Sequence, residues 1–289
     1  MAENSNARRR SDRREGRLLR SLPAYDRTAP YVQRRRSESV CSLSDSLEVT
    51  AIEQWLRDKR SEGWSQLGLL HLMVAAYVRT VSMLPGLNRF VAARRIFARN
   101  EIQVVLRIKR SASATATSTC VKIAFSPSDT VFDVQRRISA AVDDIRADVV
   151  VSDPERISGT LLGLPRWMVR VVAWAARIMD YFDWLPRTWL EASPWHGSLE
   201  VVDLGSLGIV PADIPLPDFG TLSGTLCFGA MRKVREGELT RRYVDYRICV
   251  DRRIADGFYF ASCLKCLKYF LKNPALLELP PEKVEDDVN

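Results

Sequence analysis

The 289-residue sequence predicts a mixed α/β fold around one core, and three observations carry that prediction. Stretches with apolar residues at helical spacing alternate with short runs that alternate like strands. Apolar residues make up 46% of the chain and charged residues 27%, the balance of a globular protein with a sizeable interior. No internal repeat breaks the pattern. Together these exclude a wholly disordered chain, a collagen-like repeat and a disulfide-stapled miniprotein.

The formal net charge of +8 is concentrated at one end. Residues 1–36 hold 11 arginines against Glu3, Asp12, Glu15 and Asp26, while residues 37–289 hold 32 bases and 31 acids. Residues 1–36 are therefore expected to form a disordered, solvated Arg-rich arm. Such an arm suits weak contact with anionic lipid or an acidic partner, and no specific nucleic-acid binding is expected. It lacks the hydrophobic stretch of a secretory signal, so a cytoplasmic location is expected. The six cysteines are scattered, and with two histidines they match no zinc-site spacing, so no metal is expected. Cys263 and Cys266 form a CxxC, but within a helical pattern, where they read as reduced packing residues.

Thr50 with Glu53 three residues on is a capping-box signal that opens a helix ending near Gly63. Leu70, Met73, Val74, Tyr77, Val78 and Val81 define a second helix, stopped by Pro85–Gly86. Residues 101–110 and 120–125 alternate as strands across a polar link with hairpin-loop composition. Thr130 reads as the cap of a third helix. Pro165 suits the first position of a fourth, over 165–180, in which Arg166, Arg170 and Arg177 share one face. That helix is mostly apolar yet too short to span a bilayer, at ~1.5 Å per residue against a ~30 Å hydrocarbon core. It is expected to pack in the interior or at a subunit contact, to adsorb weakly on a membrane surface, or to line a site for an acyl chain. Strands follow over 198–209, 225–234 and 241–252, then a final helix halted at Asn273–Pro274, and an acidic tail over 280–289.

Within this pattern, DRRIADG (251–257) resembles the DHRxxDG motif of dihydrolipoamide acyltransferases (of the 2-oxo acid dehydrogenase complexes) and chloramphenicol acetyltransferase. LGSLGI (204–209) resembles the SNLGxFG turn of that family, and TLCFGAMRK (225–233) its strand before the last hairpin. LEVTAIEQW (47–55) and LPGLNRFV (84–91) resemble its early helix and its FPxxN segment. The resemblance implies a chloramphenicol acetyltransferase-like mixed sheet with flanking helices over residues 37–279, in an α+β two-layer sandwich. It also implies a homotrimer with channels between subunits, in which coenzyme A or acyl-CoA meets an acceptor thiol or hydroxyl.

The resemblance further implies a histidine base at the first variable position of the DG motif and a hydroxyl beside the LG turn. Here those positions are Arg252 and Val202. A guanidinium has no lone pair to accept a proton, and an isopropyl group donates no hydrogen bond. Ser198, Asp203 or Ser206 takes the hydroxyl position if the register slips. Asp256 keeps the family aspartate, which is structural and pairs with an arginine. His196, just before the strand of the LG turn, is the natural replacement base, although a hydrogen-bonded turn histidine is its plainer reading. His71 and Cys249 read as packing residues, and Arg252 as an anion holder or an ion-pair partner of Asp251. The expected function is an acyltransferase-fold protein impaired in catalysis that binds an acyl-CoA-like or lipid-like ligand, or a protein partner. The alternatives are an acyltransferase with a non-standard base and a membrane-surface or structural protein.

Overall fold

The computed structural model describes residues 11–109, 118–146, 159, 162–237 and 239–288. Its centre is a six-stranded sheet in the order β2-β9-β8-β7-β5-β6, formed by Val40–Glu48, Leu239–Asp251, Gly224–Glu236, Leu199–Asp203, Ile102–Lys109 and Ser118–Phe125 respectively. The sheet is antiparallel except where β7 runs parallel to both β5 and β8. The expected hairpin over residues 101–125 is present, with Ile102 opposite Phe125; its link, residues 110–117, lies outside the described residues. A small second sheet, β1-β4-β3, is built from Gly16–Leu18, Arg95–Arg99 and Arg89–Ala92.

Alternation explains how the main sheet presents one face to the core. On β9, Val244, Tyr246, Ile248 and Val250 are buried, while Tyr243, Asp245 and Arg247 between them are half-buried. Over the inner face lies α3 (Leu69–Met83), apolar nearly all round and buried at eleven of fifteen positions. It packs against α4 (Val131–Arg146) and α7 (Gly257–Lys272), and α2 (Thr50–Ser61) touches α7. The helices and sheet share one core that includes Leu72, Val78, Val104, Leu226, Phe260 and Leu271. This is the predicted mixed α/β arrangement.

Two helix starts repay comparison with the sequence. Thr130 closes a true capping box with Asp133: Asp133 N–H donates to the Thr130 hydroxyl at 3.3 Å, and Thr130 N–H to the Asp133 carboxylate at 3.0 Å. The box expected at Thr50 does not form. Thr50 Oγ1 instead accepts from Arg242 N–H on β9 at 3.1 Å, and Glu53 takes the Arg242 guanidinium. The same residue pattern here ties α2 to β9 rather than capping it.

The stretch expected as a disordered arm is not one over residues 11–36. It contains β1 and α1 (Ala24–Val32), and it buries Leu19, Leu22, Pro30, Arg13 and Arg36. Its arginines find partners instead of water: Arg13 meets Asp180 at 3.0 Å, and Arg36 donates to the carbonyls of Pro217, Val91 and Gly220. Residues 1–10 lie outside the described residues. The acidic end also folds back. Asp287 receives two hydrogen bonds from Arg89, at 2.8 and 2.5 Å, and Glu285 N–H donates to Ser82 O at 2.8 Å.

The helix expected over 165–180 spans Arg166–Tyr181 and is α5; Pro165 precedes it as its cap residue. It is not packed in the interior. None of its residues is buried, and Trp167, Val171 and Trp174 expose half or more of their surface. Arg166, Arg170 and Arg177 are exposed beside them, as the spacing predicted. A short α6 (Arg187–Ala192) leads into β7. No described helix is long and apolar enough to cross a membrane.

Candidate functional site

The DG motif sits on the turn between β9 and α7. Asp251 is buried at 1% exposure and accepts from Arg253 Nε at 2.9 Å, Arg253 Nη2 at 2.6 Å and Ser39 Oγ at 3.0 Å. Arg36 adds a second cation at 3.7 Å. Arg253 also donates to the carbonyls of Gln33 and Arg34, fastening the turn to the N-terminal segment. Burial lowers the Arg36 pKa to about 10, which still leaves it protonated at neutrality.

Arg252 takes no part in this lock. Its side chain is exposed, and its recorded contact is a backbone hydrogen bond from its N–H to Ser39 O at 2.9 Å. The buried Asp251 therefore pairs with Arg253 and Arg36, not with Arg252. Asp256 does not meet an arginine either. It is exposed and caps α7, its Oδ1 accepting from Tyr259 N–H at 2.7 Å.

Val202 lies half-buried on β7, opposite Cys227, which in turn pairs with Arg247 on β9. Four residues separate Arg247 from Asp251, so at ~3.3 Å per residue the Val202 row lies about 13 Å along the sheet from the turn. One chain does not bring Arg252 and Val202 together. The alternative hydroxyls hold up local backbone: Ser198, buried at 1% exposure, accepts from Gln103 N–H at 2.9 Å, and Ser206 donates to Asp203 O at 3.3 Å. The Asp203 carboxylate accepts from Ser206 N–H.

His196 is buried just before the N-terminal end of β7. It is 1% exposed, its Nδ1 is 2.7 Å from Ser193 Oγ, and its Nε2 is 3.5 Å from Asp180 Oδ1 on α5. Its ring meets Phe219 edge-on. Nearby, Glu15 pairs with Arg99 at 3.3 Å; burial raises the Glu15 pKa, but Arg99 and other cations leave it below the ordinary carboxylate value. Lys122, donating to Leu190 O, is brought down to about 8 by burial. The serine–histidine–aspartate alignment has the order of a proton relay, but closed from solvent within one chain. Asp180, Ser193, Arg13 and Arg36 are the residues that sequence reasoning missed. Only the Ser193–His196 spacing, inside a proline-containing turn, carried a local signal.

The other predicted packing residues are placed as follows. His71 Nδ1 accepts from Gly68 N–H at 3.1 Å at the start of α3, and burial lowers its pKa to about 4. Cys249 is buried, 4.0 Å from Asp213. Cys263 is buried on α7 with its thiol pushed up to about 12 by burial, far from a redox thiolate. Among the described residues, no group of three or more histidine, cysteine or acidic side chains is placed to hold a metal ion.

No protein-family model matches the chain, and no curated protein matches it in sequence. Solved structures do match its shape. The cubic core of the pyruvate dehydrogenase multienzyme complex aligns over 90% of this chain and 94% of its own, with 11% identity and a TM-score of 0.58. A probable dihydrolipoamide acetyltransferase from Listeria monocytogenes 4b F2365 aligns over 89% of this chain and 95% of its own, with 14% identity and a TM-score of 0.54. A chloramphenicol acetyltransferase covers 89% and 99%, with 10% identity and a TM-score of 0.52. The chain therefore has the fold of the dihydrolipoamide and chloramphenicol acetyltransferases, along nearly the whole length of each. At these identities the likeness is one of fold.

Proposed function

We propose that this protein is a non-catalytic member of the acyltransferase fold that binds an acyl-CoA-like or lipid-like ligand, or a protein partner, on a trimeric, cytoplasmic scaffold. The observation that carries the reading is Arg252. In the family resemblance this is the position of the proton-accepting histidine. Azotobacter vinelandii dihydrolipoamide acetyltransferase, also of this fold, is a case in which a serine, a histidine and an asparagine have been examined for their part in catalysis. Its histidine and asparagine stand four residues apart, as Arg252 and Asp256 do here. Losing a positioned base costs ~10²–10⁴ in rate, and losing an oxyanion donor such as a hydroxyl at Val202 costs roughly 10²–10³.

One observation favours a second reading. Ser193 Oγ lies within hydrogen-bonding distance of His196 Nδ1 and Asp180 lies 3.5 Å from Nε2, which has no hydrogen-bond partner among the described residues, so an acyltransferase using His196 as its base would have the ring oriented by Ser193 with a carboxylate beside it. Its 1% exposure weighs against this, because an acceptor must reach the ring to surrender a proton.

The deciding experiment measures acyl transfer from acetyl-CoA to dihydrolipoamide, with coenzyme A binding followed by thermal shift. The expected result is a stabilising shift with no transfer above background, and a gain of activity in the double variant Arg252→His with Val202→Ser. Transfer at ordinary enzymic rates, abolished by His196→Ala, would establish the second reading.

A further inference from the structure

Beside the DG turn lies an open cleft of about 500 Å³, whose wall includes Asp180, Arg36 and Arg253 from the sites described above. Six arginines line it: Arg34, Arg35 and Arg36 from the N-terminal segment, Arg94 from the β3–β4 turn, Arg177 from α5, and Arg253. Two carboxylates share its wall, and both are already engaged. Asp180 is held by Arg13 at 3.0 Å and faces His196, while Asp218 accepts from the Ser37 N–H and hydroxyl at 3.1 and 3.3 Å. Behind the wall, Asp251 is shared between Arg253 and Arg36. Arg34, Arg94 and Arg177 have no carboxylate partner among the described residues. Arg36 is 4% exposed, and its Nε has no hydrogen-bond partner there.

The backbone at the rim is unusual too. Ala93 and Arg94 have φ of 46° and 59°, two successive non-glycine residues in the left-handed region, in a two-residue turn where asparagine and glycine are favoured. An alanine–arginine pair makes that turn costly and brings a guanidinium to the cleft. Convergent planar guanidiniums with too few carboxylates suit a multivalent oxyanion such as phosphate.

We propose that this cleft binds a ligand carrying clustered phosphate groups, with Arg34, Arg94 and Arg177 as its direct contacts. The same chemistry belongs to a phospholipid headgroup and to a free polyphosphate. The headgroup source is worth an arm of its own, because the helix that supplies Arg177 exposes Trp167, Val171 and Trp174 along one face, flanked by Arg166 and Arg170.

The test uses the full chain and two probes, inositol hexakisphosphate by titration calorimetry and phosphatidylcholine vesicles containing phosphatidylinositol bisphosphate by co-sedimentation. Coenzyme A carries phosphates too, so the arginine variants, rather than the probes, assign the binding to this cleft. The expected result is saturable binding that weakens with added salt, and falls roughly tenfold per arginine lost in Arg34→Gln, Arg94→Gln and Arg177→Gln. The three side chains are solvent-facing, and unchanged melting of each variant verifies that it folds. Arg187→Gln, outside the cleft and paired with Glu191, serves as the control and should leave affinity within about twofold. Binding of the soluble probe supports a free polyphosphate as ligand, and binding of vesicles alone supports a headgroup. Binding of neither, or equal weakening by the control, would overturn the proposal.

Discussion

Two buried polar sites stand at the same end of the main sheet, and they are built on opposite plans. At the 251–257 turn, Asp251 is held by two guanidiniums and a hydroxyl, while the neighbouring Arg252 is left in solvent. In the 180–198 segment, an imidazole is kept from solvent between a serine and an aspartate. The first site carries the sequence pattern of the resemblance without a histidine. The second has one without a recognisable pattern. The difference is physical: the side chains that hold the 251–257 turn are Asp251 and Arg253, whereas Arg252, which the resemblance sets at the histidine position, makes no side-chain hydrogen bond or ion pair among the described residues.

The contrast breaks most sharply at Asp251. Asp251→Ala leaves Arg253 and Arg36 buried without their counter-charge, and urea denaturation should show a loss of about 3–5 kcal/mol. A loss under about 1 kcal/mol would mean that the turn is not held by this pair. The next effect is one of pH and concerns the chain's other histidine. His71 has a folded pKa lowered from 6.5 to about 4, so the unfolded chain binds the extra proton between these values. Stability is then full above about pH 6.5 and falls as pH drops toward 4, by up to roughly 3 kcal/mol. His71→Asn should flatten that part of the stability profile. The smallest effect is expected at Arg252. Arg252→Ala removes an exposed side chain with no described ion pair and should change stability by no more than about 0.5 kcal/mol. A large loss there would give Arg252 a structural role and erase the difference between the two sites.

Much of the scaffold was legible because its signals are periodic. The β5–β6 pair, α3, the long β8–β9 hairpin and α7 fall within a few residues of the pattern-based reading. What escaped notice was either short or polar. β2 alternates, but its outward positions are Ser42, Ser44 and Ser46, which read as loop composition. The N-terminal segment escaped because arginine density signals solvation, whereas Arg13 and Arg36 are neutralised by carboxylates and carbonyls more than 50 residues away in sequence. The candidate site divides along the same line. Arg252, Val202 and Asp256 were placed on their elements by motif spacing. Apart from Ser193 and Arg253, each within three residues, the partners of His196 and Asp251 come from distant segments that only the folded chain assembles.

The return of the acidic end onto Arg89 has a practical corollary. Arg89 also donates to Ile254 O within the DG turn, so Asp287 sits one side chain away from the residues that shape that loop. Trimming the last ten positions, or extending the chain there with a purification handle, would unfasten a latch rather than remove a loose thread. Any change in ligand affinity after such an edit should first be charged to that latch.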